Sequence, residues 1–157
     1  MRKHLFILAM LCSTISFGQQ YSTAIGIKGG YPGYGSLNLK HFLGGSNAIE
    51  ASVGGGAHHL WLQGLYERNA ALDGGLDWYW GLGADLGFWS NGYSYYHKKS
   101  DRYYSGAWGG LDAVIGLEYT FEEVPINIAA DLGPTIRLFP YVGFGWGGAV
   151  ALRYAIK

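Results

Sequence analysis

Hydrophobic and polar positions alternate with a period of two along most of this chain. In the last segment one parity carries Val142, Phe144, Trp146, Val150, Leu152, Tyr154 and Ile156, while the other carries Gly143, Gly145, Gly147, Ala149, Ala151, Arg153 and Ala155. Such a pattern is that of a β-strand whose two faces meet different surroundings. It recurs over 76–89, 108–121 and 125–138, and shorter strand patterns fall at 21–29, 36–43, 48–54 and 58–67, so eight strands are expected. Between them stand turn clusters such as Gly44-Gly45-Ser46-Asn47 and Asp73-Gly74-Gly75. Glycine and Asn or Asp in such clusters permit tight reversals. Strands joined in sequence by short turns predict an all-β, antiparallel up-and-down meander.

The contents of the two faces decide what kind of meander this is. One face is rich in Leu, Ile, Trp, Phe and Tyr; the other is mostly Gly and Ala with charges set among them. A small soluble barrel turns its bulky apolar residues inward. Here the Gly/Ala face suits a crowded eight-stranded interior and the bulky face suits hydrocarbon, so the expectation is an eight-stranded transmembrane β-barrel. Tyr119, Phe121, Tyr154, Trp78 and Trp80 near strand ends fit interfacial aromatic girdles. Closure follows from the same reasoning, because an open sheet edge in lipid leaves backbone groups without partners.

The N-terminus is read separately. Arg2 and Lys3 precede an apolar stretch over 5–15, followed by Ser16-Phe17-Gly18. This is the layout of a secretory signal peptide, too short for a transmembrane helix. Residues 1–18 are therefore expected to be a cleaved leader and 19–157 the barrel domain. Removing Arg2 and Lys3 lowers the basic residues from 11 to 9 against 11 acidic ones, and the single cysteine, Cys12, leaves with the leader. Disulfides and metal–thiolate sites are thereby excluded. Composition narrows the class further. With 27 Gly and 26 aromatic residues (13 Tyr, 7 Phe, 6 Trp) but balanced charge, the chain has no basic footprint for nucleic acid and no resemblance to a disordered tail.

If both termini lie in the periplasm, the connections at 29–35, 54–58, 90–107 and 139–141 face outward. The longest of the four then falls on the side where outer-membrane barrels keep their long loops.

Several local sequences resemble the small outer-membrane β-barrel proteins of Bacteroidota, within the wider group of OmpA-like and OmpX-like eight-stranded barrels. They are Leu39-Lys40-His41-Phe42-Leu43 with Asn47-Ala48-Ile49-Glu50, Gly64-Leu65-Tyr66-Glu67, Gly75-Leu76-Asp77-Trp78-Tyr79-Trp80-Gly81, and Val124-Pro125-Ile126-Asn127 with Asp131-Leu132-Gly133-Pro134. The resemblance implies an integral protein of the cell outer membrane and no assigned reaction. Its implied partners are outer-membrane lipid and the barrel insertion machinery. That machinery often reads a terminal aromatic residue, whereas this chain ends Tyr154-Ala155-Ile156-Lys157, leaving Tyr154 as the nearest candidate.

Parity assigns Lys28, Lys40, Glu50, Glu67, Asp77, Asp85, Asp112, Glu118, Asp131, Arg137 and Arg153 to the lumen. Charges in so narrow a space need partners, so a plug of interlocked ion pairs is expected, with a narrow ion pore as the functional alternative. A lipid-directed acyltransferase or hydrolase would pair a histidine with a serine nucleophile and a carboxylate. His41, His58 and His59 are present, but no Gly-x-Ser-x-Gly turn singles out Ser36, Ser46, Ser52, Ser90 or Ser94. Adjacent His58 and His59 would point to opposite faces of a strand, so they make a poor metal pair. No catalytic residue, metal or cofactor is assigned.

The loop at 90–105 exceeds what a barrel needs. Its Tyr95, Tyr96, Lys98, Lys99, Arg102 and Tyr103 combine stacking faces with cations, suited to sugar rings or to the phosphates of lipopolysaccharide. The expected protein is a monomer with a structural or surface-binding role.

Overall fold

The computed structural model of the chain describes residues 21–31, 34–56, 58–89, 95–97, 102–104 and 106–157. The signal-peptide reading, Lys98, Lys99 and much of the long loop lie outside the described residues. Among the described residues ten strands form: β1 (Thr23–Tyr31), β2 (Tyr34–Gly44), β3 (Asn47–Gly56), β4 (His59–Asp73), β5 (Leu76–Trp89), β6 (Tyr95–His97), β7 (Arg102–Tyr104), β8 (Ala107–Thr120), β9 (Ile126–Phe139) and β10 (Gly143–Ile156). Eight of them close into a barrel in the order β1-β10-β9-β8-β5-β4-β3-β2, and β6 and β7 pair with each other as a separate hairpin between β5 and β8. Every barrel pairing is antiparallel, and β1 against β10 seals the cylinder from Thr23↔Ile156 to Tyr31↔Gly148. The fold is therefore the eight-stranded up-and-down barrel that the alternation predicts.

Two differences from the sequence reading have local causes. Strand β4 runs on to Asp73 rather than stopping near Glu67, because Arg68, Asn69, Ala70 and Ala71 keep pairing with β5. The chain reverses only at Gly74 and Gly75, whose φ angles of 53° and 90° lie in the left-handed region that glycine enters without a Cβ clash. The second difference is the β6–β7 hairpin, registered Tyr95↔Tyr104, Tyr96↔Tyr103 and His97↔Arg102. Three rungs cannot be recognised from a period-two pattern.

The polarity of the barrel is inverted relative to a water-soluble one. Leu37, Leu82, Leu111, Ile115, Leu132, Val150 and Leu152 are all at least half exposed on the outside. Side chains that point inward include Lys40, Glu67, Glu118 and Arg153, each at most 2% exposed. Parity along the eight strands and burial agree: on β10 the odd positions Ala151, Arg153 and Ala155 are buried, and the even ones Leu152, Tyr154 and Ile156 are exposed.

Small residues let the wall curve around this crowded interior. A Cβ on Gly83 would stand 1.9 Å from the Gly64 carbonyl oxygen, and one on Gly116 would stand 2.6 Å from both the Ala130 carbonyl oxygen and the Tyr79 ring. Leucine at either position is expected to lower stability by about 1–3 kcal/mol through overpacking. Alanine at Gly64, where a Cβ meets nothing within 4 Å, serves as the control. Urea titration of the refolded barrel reads the difference, and equal midpoints for all three variants would contradict the packing described.

Candidate functional site: the charged lumen

The inward parity of β1, β2, β3, β4, β8, β9 and β10 brings charged groups together in the barrel interior. Three cations organise them. Lys28 Nζ lies 2.6 Å from Glu50 Oε1 and 2.7 Å from Asp131 Oδ2. Lys40 Nζ lies 2.7 Å from Glu118 Oε2 and 2.9 Å from Glu67 Oε2, and donates to Asn69 Oδ1 at 2.7 Å. It also stands 4.5 Å from the centre of the Tyr79 ring, where the π face adds attraction for a cation. Arg153 donates to Asn38 Oδ1, to Glu50 Oε2 and, at 3.0 Å, to Asn127 Oδ1, with Glu118 Oε2 at 3.5 Å from its Nη1. One guanidinium from β10 thus engages β2, β3, β8 and β9, which its planar fork of donors makes possible.

Neutral polar side chains complete the network. Tyr79 donates to Asp131 Oδ2 at 3.0 Å, Asn38 to Ser52 Oγ at 2.9 Å, and Asn127 to Thr120 Oγ1 at 2.9 Å. Tyr21, just before β1, caps one end by donating to Glu118 Oε1 at 3.2 Å. Burial, and then the Glu118 carboxylate, push its phenol well above the usual range for tyrosine. Glu67 is the poorly satisfied member: its Oε1 is buried without a hydrogen-bond partner, and its Oε2 meets Lys40 as an ion pair only.

Toward the end that carries the β6–β7 hairpin, acidic and aromatic groups replace the lysines. Asp85 accepts from Trp61 Nε1 at 3.3 Å, and Asp112 accepts from Gln63 Nε2 at 2.7 Å. Arg137 lies over the Trp108 ring, 4.4 Å from its centre. Between this group and the main network, a cavity of about 30 Å³ is bordered by Lys28, Gln63, Asp112, Asp131 and Thr135, room for one or two waters.

Of the eleven charged residues assigned to the lumen, ion pairs join Lys28, Lys40, Glu50, Glu67, Glu118, Asp131 and Arg153. Asp85, Asp112 and Arg137 belong to the separate upper group, and Asp77 sits half-buried opposite Glu118 in the β5–β8 register. Of the loop residues, Tyr95, Tyr96, Arg102 and Tyr103 fall on the β6–β7 hairpin. The charged set leaves out the neutral partners Asn38, Asn69, Gln63 and Trp61, and alternation alone already puts Tyr79 beside Asp77 and Asn127 beside Asp131 on the inward face. The signal was available, since each shares the inward parity of a charged neighbour on its strand.

Ser52 is buried against Asn38, whereas His41 points outward and shares a 2.9 Å hydrogen bond with Thr23 Oγ1. Among the described residues, no group of three His, Cys, Asp or Glu side chains is placed to hold a metal ion. The fold and lumen define a small closed β-barrel with an inverted distribution of polarity. The chain matches no known protein-family profile, no curated protein and no solved structure.

Proposed function

We propose that this protein is an integral outer-membrane β-barrel, of the kind found in Bacteroidota, with a structural or surface-binding role and no reaction of its own. The observation that carries the reading is the exposed apolar outer wall around an ion-paired interior. In water that wall would be a liability, since contiguous apolar patches beyond a few hundred Å² are rare on soluble monomers. In hydrocarbon it is the favourable face. The filled lumen weighs against the pore alternative, because Arg153, Lys40 and Tyr79 occupy its centre and eight strands leave little more than side-chain space. The connection bearing β6 and β7 supplies the surface-binding element, with lipopolysaccharide phosphates or glycans as the ligand chemistry suited to its tyrosines and cations.

Membrane residence is tested by fractionation and by gel migration with and without heating. The expected result is recovery with the outer membrane and a heat-dependent shift in mobility. A folded protein that stays in solution without detergent would overturn the proposal.

A further inference from the structure

The ion-paired network in the lumen does not balance. Among the described residues three cations, Lys28, Lys40 and Arg153, meet four carboxylates, Glu50, Glu67, Glu118 and Asp131. Glu50 stands between Lys28 and Arg153, Asp131 pairs with Lys28 and accepts from Tyr79, and Glu118 has Lys40, Arg153 and the Tyr21 hydroxyl. Glu67 is left over. Its one ion pair is with Lys40, whose ammonium lies closer to Glu118 and also donates to Asn69. The Glu67 side chain is 0% exposed and its Oε1 has no hydrogen-bond partner. The cavity with room for water borders Lys28 and Asp131, not Glu67.

We infer that the barrel takes up one proton as it folds and holds it on Glu67 at neutral pH. Two observations place it there. With Glu67 neutral, the network becomes three cations and three carboxylates. The bare Oε1 is free to carry the hydrogen while Oε2 keeps facing Lys40 at 2.9 Å. An unpaired neutral hydroxyl costs far less in a dry interior than an uncompensated charge. The neighbours act in the same direction. Glu67 is faced by Lys40 from β2, Glu50 from β3, Tyr79 from β5, Glu118 from β8 and Tyr21 ahead of β1. Arg153 of β10 is taken up by Glu50 and Glu118, and Lys28 of β1 and Asp131 of β9 pair with each other. Asp77, further along β5, adds a further acid opposite Glu118. Two carboxylates and one shared ammonium therefore surround the fourth acid. The inference concerns the lumen alone and stands whether lipid or water meets the outer wall.

The test uses the full barrel refolded in detergent micelles. Infrared spectroscopy in D2O at pH 7 detects the C=O stretch that a protonated carboxyl has and a carboxylate lacks. Wild type is expected to show this band, and carboxyl-¹³C glutamate should shift it, which assigns it to glutamate without any substitution. Glu67→Gln keeps the shape of the neutral acid and is expected to fold without the band. Denaturant titrations at pH 6 and pH 7 supply the second measurement. The unfolded chain's glutamates, with a pKa of about 4.3, are ionised at both values. A proton held only by the folded state lowers the folding constant about tenfold for each unit that the pH rises. Wild type should therefore weaken about tenfold more than Glu67→Gln between the two, because the responses of Asp77, Tyr21 and the histidines are common to both and cancel. A wild type without a neutral glutamate carboxyl at pH 7, a band that survives Glu67→Gln, or equal pH responses would each overturn the inference.

Discussion

Replacing Arg153 with alanine is expected to destabilise the barrel by about 3–5 kcal/mol, as removing one partner of a buried ion pair does. The side chain is 2% exposed and is the cation shared by Glu50 and Glu118. Its loss leaves Lys28 as the cation beside Glu50 and Lys40 as the cation beside Glu118, and removes the donors from Asn38 and Asn127. Arg153→Lys should recover only part of the loss, because an ammonium is a point charge and cannot span four strands. Arg153→Met combined with Glu50→Met should fare better than Arg153→Ala, since the unpaired charge rather than the absence of an ion pair carries most of the penalty. Denaturant titrations of the refolded variants measure all three. A loss below about 1 kcal/mol for Arg153→Ala would mean that water reaches the network and screens it.

Arginine at Leu82 or Ile115 is the second large effect. Both residues lie near the middle of their strands and point outward, 58% and 53% exposed. If the barrel spans a bilayer, each substitution should cost about 2–4 kcal/mol when refolding is measured in phospholipid vesicles, the range for a cation on the lipid face at the midplane. In a water-soluble barrel the same changes would be nearly neutral, since an exposed arginine on a strand is well solvated. Tolerance at both sites together with loss of folding on inward substitution would reverse the assignment of the outer wall to lipid. This experiment and the Arg153 series probe opposite faces of the same strands, so they test the inverted polarity from both sides.

The inside–outside assignment was legible because it is a local property. On β9, Asn127, Ala129, Asp131, Gly133 and Thr135 could be separated from Ile128, Leu132 and Ile136 by counting alone, and burial divides them the same way. The membership of the lumen network was only half legible. Charged residues announce themselves, but Tyr79 in the run Trp78-Tyr79-Trp80 reads as one more aromatic until its parity is taken seriously. The end of β4 is not legible in the alternation, because Arg68 and Asn69 interrupt the apolar pattern. Pairing with β5 carries the strand past them, with Asn69 turned inward to meet Lys40.

The sequence by itself determined the number of barrel strands, their antiparallel order and which side of each strand faces in, because successive side chains on a strand alternate by backbone geometry whatever surrounds it. Only the tertiary structure decided who meets whom. Arg153 and Glu50 are 103 positions apart in the chain, and Lys40 and Glu118 are 78 apart. Their meeting depends on closure of β1 against β10 and on the register of every intervening pair. A period of two fixes a face but not a height along the barrel, and a slip in register would move each charge to a different level of the lumen. The same non-local geometry ends the β2–β3 ladder at Ser36↔Gly54 while β1–β2 continues to Gly30↔Tyr34 and β3–β4 to Gly56↔His59: the glycines are visible in the sequence, but where the pairing stops is not.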